Sequence, residues 1–293
     1  MDITEYIPSC VVTILFLVIM PHGSDVWIKA DTIISSCFGL IITFFPRHFL
    51  SRQIEGTLDD VHLHIYRLCG IMILCSSLFA TVTRNSKEPA VVKAILWGRT
   101  VGISIYVSSR IYSYIYIHGT VTWNNQALIF GIYGDCLWLL GNFIYAFSIP
   151  HSEGRRRAHF KVDVYIKSDF VQCILFGLTF YIMPNLMLGF QTLKQLDNLH
   201  VTLLRMMSAF VFNTGVIAWK SLHFSNERNK MWHLISRILV GFGLLAAQLF
   251  VQLTTSSWTM WHIYFGMTGM IIWSLNSVIG LLSLSRFSDK MNN

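Results

Sequence analysis

Charge is what this sequence has least of. Only 13% of its 293 residues are Asp, Glu, Lys or Arg, against roughly 25% in an ordinary soluble domain, and 54% are hydrophobic. Too little polar surface remains to cover a soluble globule. Proline is sparse, with six residues, and apolar runs of about 18 to 22 residues pass without a break, the length that crosses a bilayer. The six cysteines (Cys10, Cys37, Cys69, Cys75, Cys136, Cys173) all lie within such runs and have no CxxC or zinc-type spacing, which excludes a disulfide framework and leaves them as packing residues. There is no Asn-x-Ser/Thr sequon, no P-loop, no HExxH and no nucleophile–base constellation. No pair of mid-membrane histidines is placed to ligate haem. No enzyme, no cofactor and no metal is expected from these absences.

What is present reads as an all-α, polytopic transmembrane helix bundle. The spans fall at 32–49, 61–82, 94–116, 127–148, 170–189, 200–220, 231–253 and 262–284. A shorter apolar stretch, Cys10 to Met20, stops at Pro21, His22 and Gly23 and lacks the basic flank of a signal peptide, so it reads as a short additional helix. Gly241-Phe242-Gly243-Leu244-Leu245-Ala246 has the form of a dinucleotide fingerprint but no strand before it. With Gly98 and Gly102 it reads as small residues that let helices approach.

The net charge of +7 forms no stripe or groove, so nucleic acid is not an expected partner. Of the 22 lysines and arginines, five (Arg67, Arg99, Arg110, Arg205, Arg237) lie in spans. With residues 24–31 on the cytoplasmic side, only Arg47, Arg52 and Lys194 fall outside, and the other fourteen fall inside. Trp123 and Trp261 then read as belt residues at the outer interface.

A fixed offset of 138 residues superposes two halves. Asp25-Val26-Trp27-Ile28-Lys29-Ala30-Asp31 falls on Asp163-Val164-Tyr165-Ile166-Lys167-Ser168-Asp169, and Pro46 on Pro184. Asp59, His62, Arg67 and Arg99 fall on Asp197, His200, Arg205 and Arg237, Trp123 on Trp261, and Gly131 on Gly269. Rare residues at one spacing indicate two tandem four-helix repeats in parallel orientation. The expected division is an N-terminal segment 1–23, a first repeat 24–148, a basic linker 149–161 containing Arg155, Arg156 and Arg157, a second repeat 162–286 and a tail 287–293.

Charges inside a membrane each need a partner, a wet cavity or an escape to the interface. Arg67 and Arg205 lie near Asp59/His62 and Asp197/His200. Asp31 and Asp169 are candidate partners for Arg99 and Arg237. These repeat-related residues read either as fold-defining or as two equivalent sites for an anionic group such as a lipid phosphate. Arg110 and Asp135 belong to the first repeat alone, their matches at the same offset being Gln248 and Trp273. In an antiparallel hairpin they come to one depth, as an ion pair that locks the hairpin or as an asymmetric polar site.

The stretch from Phe38-Gly39-Leu40 through Phe45-Pro46 to Tyr66-Arg67-Leu68-Cys69-Gly70 resembles a small group of tumour-suppressor-inducible four-span membrane proteins. The group's Arg-Leu-Tyr-Gly-Gly is replaced here by Arg67-Leu68-Cys69-Gly70, and the second half departs further, with Met183-Pro184 and Arg205-Met206-Met207-Ser208. The resemblance implies four-span units and no catalytic motif. The reading is therefore a non-enzymatic accessory or scaffolding protein of the bilayer. The alternative is a transporter or lipid-handling protein with an anion- or headgroup-binding site. Expected partners are the lipid bilayer, anionic lipid headgroups or a partner membrane protein. Phe-rich spans of modest length point to the endoplasmic reticulum over the plasma membrane.

Overall fold

The computed structural model describes residues 7–86, 88–116, 122–150 and 160–292. The chain forms eleven α-helices among these residues: α1 (Ile7–Ile19), α2 (Ser24–Phe44), α3 (Pro46–Leu50), α4 (Asp60–Thr83), α5 (Pro89–Tyr116), α6 (Asn125–Ser148), α7 (Phe160–Ile182), α8 (Pro184–Gly189), α9 (Asn198–Ser221), α10 (Glu227–Thr254) and α11 (Met260–Asn292). Two-residue strands β1 (Ile54–Glu55) and β2 (Thr122–Trp123) pair antiparallel. Seven helices are long and apolar enough to cross a membrane: α2, α4, α5, α6, α9, α10 and α11. The chain is an all-α integral membrane protein. α7 has 23 residues but carries Lys161, Asp163, Lys167 and Asp169 in its first half. The N-terminal apolar segment forms α1, and the basic stretch 151–159 lies outside the described residues.

Two expected spans, 32–49 and 170–189, ran through a proline. The helices instead start earlier and stop at Phe44 and Ile182, and α3 and α8 begin at Pro46 and Pro184. Proline has no N–H for the preceding turn and disfavours helical backbone in the residue before it. Phe45 (φ −126°, ψ 48°) and Met183 (φ −121°, ψ 47°) accordingly take the same kinked conformation.

In each half the outer helices pack on an inner pair: α2 on α4 and α6 on α5, then α7 on α9 and α11 on α10. The inner pairs meet, α5 against α9 and α4 against α10. Gly98 and Gly102 let α5 lie on α9, where a Cβ at Gly98 would come within 2.6 Å of the Asn213 amide oxygen and one at Gly102 within 2.9 Å of the Ala209 carbonyl. The junction is pinned at both ends. At one end Glu88 accepts hydrogen bonds from the Ser225 and Asn226 backbone and the Asn229 amide. At the other, Asp59 and His62 interlock with Asp197 and His200.

Matching side chains make matching bonds in the two halves, but the offset of 138 does not reach the last helix. Trp138 donates to Asp31 and Trp273 to Asp169, 135 residues apart. Residues 117–124 join α5 to α6, and only 255–259 join α10 to α11, three fewer. The counterparts of Trp123, Gly131 and Asp135 are therefore Trp258, Gly266 and Met270, and not Trp261, Gly269 and Trp273. Trp123 is also buried, donating to the Ser113 hydroxyl at 2.6 Å, so it is no belt residue; Trp261 is exposed.

Candidate functional site

The first long helix of each half, α2 and α7, carries a buried carboxylate in its N-terminal half. Asp31 lies 3.4 Å from Arg99 Nε and accepts the Trp138 indole N–H. Arg99 reaches on to the Ser77 hydroxyl at 3.2 Å. In the second half Asp169 accepts from Arg237 Nε and His233 Nε2, both at 2.9 Å, and from Trp273. Arg237 also donates to the Thr214 carbonyl at 2.6 Å. Sequence comparison missed His233, because Ile95 stands at the matching position, and it missed the buried pair of Lys230 with Asp163 at 2.6 Å. A lysine in the first turn of a span reads as solvent-facing until its neighbour is known.

Asp59 and Asp197 are N-caps. Each carboxylate accepts the backbone N–H of the second and third residues of its helix, and each histidine Nδ1 accepts the N–H of its own cap residue. That places the ring proton on Nε2, which faces the other half's aspartate at 3.1 Å. The two imidazoles stack with centroids 3.6 Å apart. Burial by itself would raise the pKa of Asp59 and Asp197, but hydrogen bonds from His200 and His62 outweigh it and hold both carboxyls well below the usual carboxylate range. Asp59, His62 and His200 present ligand atoms within 4.8 Å of one another. All are engaged in this box, which closes on itself and reads as a clasp between α4 and α9.

Arg67 and Arg205 do not join that box. Each donates Nε to a carbonyl in the last turn of the helix before the proline kink, Thr43 and Tyr181 respectively, both at 3.2 Å. They satisfy acceptors that the helix end leaves open and oppose its dipole.

Arg110 and Asp135 meet as an ion pair, Nη1 to Oδ2 at 2.6 Å. The guanidinium lies over Gly131, where any Cβ would strike it, and within 5.7 Å and 5.5 Å of the Tyr106 and Trp123 ring centres. Arg110 Nε has no partner among the described residues. The pair borders a cavity of about 170 Å³ lined by α1 to α6 and by Phe210 of α9. Ser35, Gln53 and Tyr66 add polar groups, and Phe38, Phe49, Phe130 and Phe210 supply apolar walls. The second half has a cavity at the equivalent place, about 80 Å³, in which Gln248 and Met270 replace the pair.

The size difference has a cause in the packing. α7 and α11 run side by side, whereas the α2 and α6 backbones stand farther apart, bridged by the Trp27 and Trp138 side chains. α1 fills in against α6, with Phe16 on Trp27 and Trp138 at centroid distances of 5.2 and 6.2 Å.

No curated protein and no solved structure matches this chain. Residues 29–282, which contain all the paired charges described above, match the model of a domain of unknown function (DUF8292), and the chain belongs to that family.

Proposed function

We propose that this integral membrane protein binds a small amphiphile in the cavity of its first half, in lipid handling or transport. The observation that carries this reading is that Arg110 and Asp135 border a cavity of about 170 Å³. An ion pair serving only to lock a hairpin has no need of space beside it.

Charge narrows the ligand. The arginine excess points to an anion, but the pair is neutral as a unit. A free anion gains only by parting Arg110 from Asp135, and breaking a buried pair costs about 3–5 kcal/mol. A neutral or zwitterionic head that both donates and accepts meets Asp135 Oδ1 and the guanidinium with the pair intact. An apolar tail then lies among Phe38, Phe49, Phe130 and Phe210.

Ser35 provides the test. It is buried, borders the cavity, and its hydroxyl has no partner among the described residues, so Ser35→Leu fills space without touching the pair. A medium-chain monoacylglycerol is expected to raise the unfolding temperature of the detergent-purified protein and to leave that of Ser35→Leu unmoved. Equal shifts in both, or none in the wild type, would end this reading. The accessory or scaffolding reading would then stand, supported by charges that tie helices of the chain to one another.

A further inference from the structure

The second half's cavity is lined by polar atoms of another kind. His64 of α4, 1% exposed, has no partner at either ring nitrogen among the described residues. His262 Nε2, Trp258 Nε1 and Gln248 Oε1 border the same cavity and are also buried without partners among the described residues. Each buried polar group left unpaired costs about 1–3 kcal/mol. Four residues bearing this cost around one space point to an occupant.

The hydrogen bonds settle what His262 offers. Gln191 Nε2 donates to the Met187 carbonyl, so its Oε1 is the atom that faces His262 Nδ1, at 3.2 Å. An amide oxygen only accepts, so Nδ1 carries the proton and Nε2 presents a lone pair. Metal-ligating imidazoles are held in this way, with the other N–H on a carbonyl or carboxylate. A neutral His64 supplies a second lone pair. The rest of the wall includes Met72, Met187, Met207 and Met270, and among the described residues no Asp or Glu borders the cavity.

We propose that this cavity binds one soft monovalent metal ion, of the Cu(I) class, through His64, His262 and a methionine thioether. Imidazole and thioether are neutral, soft ligands that suit such an ion. A divalent ion in this setting would lack anionic ligands to offset its desolvation. Two imidazoles sharing a metal at about 2.0–2.1 Å and a tetrahedral angle hold their ring centres about 5 Å apart; those of His64 and His262 are 5.1 Å apart. The ligand set is peculiar to this cavity, to which α4 of the first half contributes His64. Thr202, Ala127, Phe49, Cys69 and Asp135 occupy the positions matching His64, His262, Met187, Met207 and Met270. The site is independent of amphiphile binding in the first half.

The test uses the full chain in detergent, stripped of metal and titrated with Cu(I) under ascorbate against bicinchoninate. One equivalent retained per chain is expected, with nitrogen and sulfur scatterers in its X-ray absorption spectrum. His64→Leu and His262→Leu should each abolish retention. Gln191→Leu, which keeps both ligands and removes the orienting bond, should weaken it about 10- to 100-fold. Thermal unfolding establishes that each variant is folded, and the absorption spectrum of the wild type needs no variant. Failure of folded wild type to retain Cu(I), as for a cavity that holds only water, overturns the proposal. So does retention that survives the double His64→Leu/His262→Leu variant but is lost in His62→Asn/His200→Asn, which would place the ion at the clasp.

Discussion

In the first half an arginine lies over Gly131 and meets Asp135; in the second, Gln248 lies over Gly266 with Met270 in place of the acid. The helices and their kinks correspond, and so do the indole–carboxylate bonds of Trp138 and Trp273. The interiors do not. Where the charges are, the outer helices stand apart and the space is larger; where they are absent, α7 and α11 close on each other. One backbone plan thus holds a polar, roomy interior or a tight one lined by methionine and histidine side chains, depending on a few side chains and on α1.

Removing one charge from the pair breaks this comparison most severely. Arg110→Met leaves Asp135 buried without a counter-charge and should cost about 3–5 kcal/mol in unfolding of the purified protein. The double variant Arg110→Gln/Asp135→Met gives the first half the second half's residues. It should recover most of that loss, and it should abolish stabilisation by a monoacylglycerol. A double variant no better than the single would show that the two residues are not coupled.

The carboxylates near the other membrane face sharpen the contrast in the opposite direction. Asp169 has His233 in addition to the arginine and indole that Asp31 also has, and its arginine is closer, at 2.9 Å against 3.4 Å. Asp169→Asn should therefore be more destabilising than Asp31→Asn, by about 1.5–3 kcal/mol, the worth of a hydrogen bond to a charged group. Equal losses would mean that His233 adds nothing.

How much of this was legible beforehand depended on whether the information was local. Long apolar runs placed the helices. Rare residues at one spacing paired Arg99 with Asp31 and Arg237 with Asp169, and antiparallel depth brought Arg110 to Asp135. The kinks were also written in the chain, as Pro46 and Pro184, yet a hydropathy run does not register a missing N–H. The three-residue difference between the α5–α6 and α10–α11 loops was invisible to a fixed offset, which misassigned every match in α6. The clasp and the His64–His262 cavity join residues of opposite halves. Nothing in one half announces which residues of the other will face it.

Glycines under the cavity side chains offer a smaller test. A Cβ at residue 131 would strike the Arg110 guanidinium, and one at 266 the Gln248 amide. Gln248 can swing away, whereas Arg110 is held by Asp135. Gly131→Ala should cost about 1–3 kcal/mol through overpacking, and Gly266→Ala less. In the Arg110→Gln/Asp135→Met background the two costs should converge, which thermal unfolding would measure.

The clasp is where the halves contribute equally, so its variants should show no asymmetry. Asparagine caps a helix as well as aspartate does. Asp59→Asn and Asp197→Asn should therefore each lose only the charge on the bond to the opposite histidine, about 1 kcal/mol. Both carboxyls are held below their usual range, so they bind protons more readily in the unfolded chain, whose carboxyl pKa is about 3.9. Their contribution is complete above that value and is lost as pH falls below it toward the folded-state values. The unfolding temperature of the wild type should thus drop between about pH 5 and pH 2. The Asp59→Asn/Asp197→Asn variant should drop less over that range and match the wild type's slope above it. A decline of the same size in both would show that other carboxylates, and not the clasp, govern acid sensitivity.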